Sequence, residues 1–191
     1  SADQMSRASL LITLLMGLLT IVLWGLVNRP GVEPPWPARV DGFSFSPMRG
    51  EKSPLTGDGP DIAQVDQDLA LLAGDVHAVR TYTVNGTLAE VPRLAKAHGL
   101  NVALGAWLDR DATHNRNELD SLVRIYRENH EQIVRVIVGN EVILREDQTV
   151  DQMIQHLREV KQSVWAPVST AEPVIGQVRN LLGHRVTASR F

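Results

Sequence analysis

The chain has 191 residues, 43% of them hydrophobic, a formal charge of −3 and no cysteine. That is enough for one domain of ordinary size but short of a complete eight-fold barrel, which takes about 250 residues. The composition excludes disulfide scaffolds, cysteine-bound zinc and cysteine nucleophiles, and with no basic stripe outside the last twenty residues it gives no electrostatic case for nucleic acid.

Residues 8–27 (ASLLITLLMGLLTIVLWGLV) carry no charge and match the length of a helix that crosses the hydrocarbon core. A transmembrane helix or a signal peptide would both give such a run. A signal peptide has a shorter apolar core of about 7–15 residues, so the length here and the Asn28-Arg29-Pro30 that follows favour an uncleaved anchor. Trp24 suits an interfacial position, while Arg7 on one side and Arg29 and Arg39 on the other leave the orientation open. Residues 28–40 hold four prolines, which disfavour helix and sheet and predict a stiff spacer.

From Asp41 the pattern alternates. Residues 42–46 (GFSFS) predict a first strand, stopped by Pro47 and a polar loop over 48–60. Asp61 is placed as an N-cap, and Ile62, Val65, Leu69 and Leu72 follow at helical spacing. Residues 76–84 predict a second strand and 88–98 a second helix, with Pro92 in its first turns and Gly99 as its stop. A third strand is expected over 101–108 and a third helix over 117–131, apolar at Leu119, Leu122, Val123, Ile125 and Tyr126. The fourth strand, 134–138, is a β-branched run that ends abruptly in Gly139, Asn140 and Glu141. A fourth helix spans 150–164, with Asp147 or Thr149 near its start, and a fifth strand, 167–171, ends at Glu172.

Four strand-then-helix units plus a strand imply a parallel sheet. A doubly wound sheet would carry a Gly-rich turn after its first strand, where this chain has Pro47-Met48-Arg49-Gly50-Glu51. The expected class is therefore α/β, of the (β/α)8 TIM-barrel type, truncated to about five strands. In barrels the chemical groups stand just past the C-terminal ends of the strands, where Glu141 would be. A carboxylate there, with an amide beside it to orient a hydroxyl, suits general acid/base work on a sugar bond. An acidic residue opening a helix is the competing explanation.

Five strand-end motifs stand in order: Gly42-Phe-Ser-Phe-Ser-Pro47, Arg80-Thr-Tyr82, Gly105-Ala-Trp-Leu108, Gly139-Asn-Glu141 and Ser169-Thr-Ala-Glu-Pro173. With them the chain resembles, over 41–173, the bacterial branch of glycoside hydrolase family 17, a β-1,3-glucanase-like group. The resemblance implies a membrane-linked hydrolase or transglycosylase of β-glucan, with a soluble part on the periplasmic side of an inner membrane and in some cases a glucan synthase as partner. It implies Glu141 as the acid/base, Asn140 as a ligand near the sugar 2-hydroxyl, and Arg80 and Tyr82 as lining of the sugar subsite. Trp107 offers a flat face to a pyranose ring, or alternatively packs between strand and helix. Arg80 has a purely structural ion pair as its competing role. No cofactor is expected: His77, His98, His114, His130, His156 and His184 lack metal-ligand spacing, and Asp109 and Asp111 lack the later residues of a calcium loop.

A retaining glycosidase also needs a nucleophilic carboxylate about 5–5.5 Å from the acid/base, which in this family ends the seventh strand. Residues 174–191 have three arginines, no acid and no family likeness, so the nucleophile is expected to be missing. Glu172 is the one neighbouring carboxylate able to substitute, with substrate contact or a structural role as the alternatives. A catalytically inactive, membrane-tethered fragment that at most binds glucan is therefore the competing expectation, and an unclosed sheet predicts marginal stability.

Overall fold

The computed structural model describes residues 6–173 except 30, 32, 34 and 51–58. The tail 174–191, with His184, and much of the loop after the first strand lie outside the described residues. The described part forms two compact units divided between Pro37 and Ala38.

The first unit is a helix, α1 (Arg7–Val27), long and apolar enough to cross a membrane, with no residue buried. Ser6 caps it, its hydroxyl accepting the Ser9 N–H at 3.1 Å.

The second unit is a five-stranded parallel sheet in the order β1 (Val40–Ser44), β2 (Val76–Arg80), β3 (Asn101–Ala106), β4 (Ile133–Asn140), β5 (Val168–Ala171). Sequential order with no switch point is how a barrel wall is built, whereas a doubly wound sheet reverses direction. The helices α2 (Ile62–Leu72), α3 (Val91–Ala97), α4 (Ala112–Asn129) and α5 (Val150–Ser163) follow the first four strands.

The core lies between strands and helices. Alternate residues of the central strands, Val102, Leu104 and Ala106 with Val136 and Val138, join one buried cluster with Leu69, Leu94, Leu122, Ile125 and Leu157 of the helices. The opposite parity in β3, Ala103 and Gly105, is small, which lets the strands approach closely.

Several boundaries differ from expectation, each for a local reason. The β2 ladder ends at Arg80, not at 84, because the Thr83 hydroxyl and the Val84 N–H turn away to a carboxylate on α4. The α4 helix begins at Ala112, five residues early: Asp111 caps it by accepting the Thr113 and His114 N–H groups, and its polar first turn gives no apolar stripe. The expected helix over 88–98 is a 3-10 turn, Gly86–Glu90, that passes into α3 at Val91, where Pro92 lacks the N–H an earlier α-turn would need. The β1 pairing starts two residues earlier than expected, with Val40 opposite Val76. Thr149, rather than Asp147, caps α5, in a reciprocal box with Gln152.

Candidate active site at the strand ends

The end of β4 is bent by its backbone. Gly139 has φ +77°, and Glu141 has φ +53°, an uncommon conformation for a residue with a side chain. A side chain at Gly139 would also put its Cβ 2.6 Å from Val142 Cγ2, so glycine is required there twice over. The β4–β5 register shifts between Ile137 and Asn140, and the Glu141 N–H then bonds Ala171 O at 2.8 Å. Glu141 thus makes the last bond to β5 with its N–H, while the turn that begins at its positive φ leaves the residue exposed. Strained positions of this kind persist where the surroundings over-determine them.

Two arginines hold the neighbouring residue. Arg80, from the end of β2, donates through Nη2 to Asn140 Oδ1 at 2.8 Å, and its Cζ lies 4.6 Å from the centre of the Tyr82 ring. With its oxygen committed, the Asn140 side chain offers its NH2 to a substrate hydroxyl. Tyr82 Oη is 3.1 Å from Ser44 Oγ, which ties β2 to the end of β1. Arg145 donates to the Asn140 carbonyl, to Leu108 O at 2.8 Å and to Asp147 Oδ2 at 2.8 Å, and its guanidinium lies 4.3 Å from the Trp107 ring centre. Arg145 thus joins the ends of β3 and β4.

Glu172, half-buried at the end of β5, accepts the Val142 N–H through Oε1 at 2.7 Å and the Ile143 N–H through Oε2 at 3.3 Å. Both oxygens are engaged by the turn that immediately follows Glu141. Burial raises the Glu172 pKa, against the opposing pull of the Val142, Ile143 and Leu144 N–H groups and the Arg145 charge. A raised value means the folded state favours the protonated acid. Its contribution to stability is therefore complete below the ordinary carboxylate pKa and lost as pH rises through the raised value. Thermal melts between about pH 4 and 7 are expected to show the native chain losing stability relative to Glu172→Gln as pH increases; parallel curves would contradict the shift.

Glu118 on α4 was not singled out by its sequence pattern, and it organises the other side of the site. It is 1% exposed, and its Oε1 accepts the Thr83 hydroxyl at 2.7 Å, the Val84 N–H at 2.9 Å and the Trp107 N–H at 2.9 Å. One carboxylate oxygen therefore fixes the loops after β2 and β3 together. An available signal was its place beside Leu119 and one turn before Leu122 on a helix face that otherwise goes into the core. Glu118→Gln weakens three charge-assisted bonds and is expected to cost about 2 kcal/mol, or roughly 4–8 °C in melting temperature. An unchanged melt would remove Glu118 from this role.

A cavity of about 500 Å3 opens at the ends of β1–β3, lined by Tyr82 and Trp107 together with Phe45, Met48 and Leu88. The structure thus brings together Arg80, Tyr82, Asn140 and Glu141 through Asn140 and the end of β4. Trp107 joins them through Arg145, and Glu172 sits behind Glu141 against the backbone. Among the described residues no group of three or more His, Asp and Glu is arranged to hold a metal ion.

A family model described as the BtgE/BtgC glycoside hydrolase domain matches residues 42–184. The chain is 28% identical over 107 residues to the glucan 1,3-β-glucosidase BGL2 of Candida albicans, covering 54% of this chain and 34% of that one. It is 28% identical over 123 residues to a glucan 1,3-β-glucosidase of Arthroderma benhamiae, covering 63% and 38%. It therefore spans about a third of the length of these curated relatives. Among solved structures it is similar to the glycoside hydrolase family 17 β-1,3-glucanosyltransferase of Rhizomucor miehei, with a TM-score of 0.61 at 24% identity, over 71% of this chain and 50% of that one. An active-site mutant of that enzyme, solved in complex with laminaritriose, gives the same figures. The likeness places the five strands as part of a (β/α)8-type barrel.

Proposed function

Because the chain belongs to the BtgE/BtgC glycoside hydrolase family, we propose that it acts on β-1,3-glucan, cleaving or transferring glucosyl chains with Glu141 as the general acid/base. The single observation that carries this reading is the end of β4. There Glu141 stands exposed at positive φ just past the last residue of β4, beside an Asn140 whose amide oxygen is held by Arg80.

In a retaining reaction a nucleophilic carboxylate, which is assigned to none of the described residues, bonds the anomeric carbon while Glu141 protonates the glycosidic oxygen of the departing sugar. Glu141 then takes a proton from the incoming water or sugar hydroxyl. Asn140 donates to a hydroxyl of the ring undergoing substitution, and Tyr82 and Trp107 give it apolar walls. Glu172 has both oxygens occupied by the Val142 and Ile143 N–H groups, so it is read as a positioning residue that holds the Glu141 turn. The nucleophilic carboxylate is not assigned to it. In the same reading α1 tethers the chain to a membrane and the glycoside hydrolase domain lies on the periplasmic side. A membrane-bound synthase that extrudes glucan would be the natural source of substrate.

The test is chromatography of products after incubating the full chain with laminarihexaose and, separately, cellohexaose. Shortened or lengthened β-1,3 products that disappear in Glu141→Gln are the result this reading expects, whereas no product from the native chain would favour the inactive, glucan-binding alternative. Turnover that survives the substitution would remove Glu141 from the reaction.

A further inference from the structure

We infer that the end of the domain away from Glu141, where β4 and β5 begin, carries a separate, non-catalytic glucan-binding site. There the Trp165 indole stacks on a glucosyl ring and the charged groups beside it take the ring hydroxyls. The inference rests on the β-glucan reading and adds a place where the polymer is held apart from the reacting bond.

Trp165 lies in the connection from α5 to β5, and His130 in the one from α4 to β4, so both stand where strands start. Glu141 stands past the other end of β4, a strand of eight residues, which at the rise of a strand is about 26 Å away. A sugar ring seated on Trp165 therefore does not touch the proposed reacting position.

Trp165 is 85% exposed. A lone apolar side chain on a surface needs no special explanation, but this one is held in a fixed pose. The backbone N–H groups of Trp165 and Ala166 both donate to the hydroxyl of the buried Tyr126, at 3.2 and 2.9 Å. The rings of Tyr126 and His130 meet the indole edge to face, with centroids at 6.4 and 5.9 Å. The Pro167 carbonyl accepts the Val136 N–H at 2.9 Å, which ties the same loop to β4. The indole is thus oriented before any ligand arrives, and little entropy is lost when one binds.

Polar groups stand beside it. Asp120, Val123, Arg124, Arg127 and Glu128 of α4, with Ser163 at the end of α5, line an open cavity of about 510 Å3. Two of them adjoin the supports of the indole: Ser163 is two residues before Trp165, and the Arg127 carbonyl accepts the His130 Nδ1–H at 3.3 Å. That bond leaves Nε2 of a neutral His130 ring as an acceptor. The lining holds two carboxylates and two guanidinium groups, with Arg124 Nη1 3.5 Å from Glu128 Oε1, so its charges cancel. Donors and acceptors in equal measure, with no net field, suit a neutral polyhydroxyl chain and give no attraction for an anionic lipid surface. An exposed indole beside such groups matches a pyranose, which has an apolar C–H face and a rim of hydroxyls.

The experiment is co-sedimentation of the detergent-solubilised full chain with particulate β-1,3-glucan, in a Glu141→Gln background that blocks turnover. Trp165→Ala is expected to weaken retention about tenfold or more, the loss of one stacked aromatic contact, and Trp165→Tyr to recover part of it. Arg127→Ala is expected to weaken it less, and the melts of all three to match the background because both side chains are exposed. Retention unchanged in Trp165→Ala but lost in Asn140→Ala would overturn this site and leave the glucan reading intact. Unchanged retention together with a loss of self-association in Trp165→Ala, read by analytical ultracentrifugation, would assign the face to a second copy of the chain and also overturn the site. No retention of the native chain would overturn the site, and the glucan reading with it if laminarihexaose also gives no product.

Discussion

If the chain turns over laminari-oligosaccharides as proposed, Glu141→Gln is expected to lower the rate by about 10²- to 10⁴-fold, the usual contribution of a positioned general acid/base, and to leave substrate affinity and thermal stability nearly unchanged. The amide has the shape of the carboxyl group but cannot give up and regain a proton at the glycosidic oxygen. Stability is spared because Glu141 is exposed and its bonds to Ala171 O and from the Arg145 N–H are made by its backbone, which the substitution keeps. Steady-state kinetics beside a thermal melt reads both quantities. A loss of activity matched by a collapse in melting temperature would mean that Glu141 holds the turn instead of doing chemistry.

Gly105→Ala is expected to be the most destabilising single methyl in the domain, by about 3 kcal/mol or more. The added Cβ would stand 2.1 Å from Thr81 O, 2.9 Å from Thr81 C and 3.0 Å from Tyr82 Cα. All three are backbone atoms of the adjoining strand end, so no side-chain rotation relieves the clash. Either β2 and β3 separate, which breaks the Gly105 N–H bond to Thr81 Oγ1 at 3.0 Å, or the segment 80–82 shifts and takes Arg80 and Tyr82 with it. The melting temperature should fall by roughly 6–12 °C, with glucan binding lost alongside. A melt within a degree or two of the native chain would show that the strands can move apart freely.

The fold was largely legible because its central strands are apolar runs and two of its helices begin with caps visible in the sequence. Asp61 opens α2 and Thr149 opens α5 in residue patterns that need no tertiary knowledge. Where expectation failed, a side chain from a distant element had taken over the backbone. The β2 strand stops early because Glu118, thirty-five residues beyond Thr83, collects that loop, and the first turn of α4 is too polar to show a stripe. In the site, Asn140 and Glu141 were readable because a buried strand ends on them. Arg145 and Glu118 were not, since an arginine in a turn and a glutamate on a helix are usually solvated. Their importance lies in partners at Leu108, Asn140 and Trp107 that only folding brings near. The positive φ at Glu141 was equally invisible, because no residue type other than glycine announces it.

The most direct test of Glu141 as the acid is its dependence on the leaving group. Native chain and Glu141→Gln should be compared on a laminari-oligosaccharide and on a dinitrophenyl β-laminaribioside, whose phenolate departs without being protonated. The account predicts a deficit of about 10²- to 10⁴-fold on the oligosaccharide, shrinking at least tenfold on the aryl glycoside. An equal deficit on both substrates, or none on either, would contradict it.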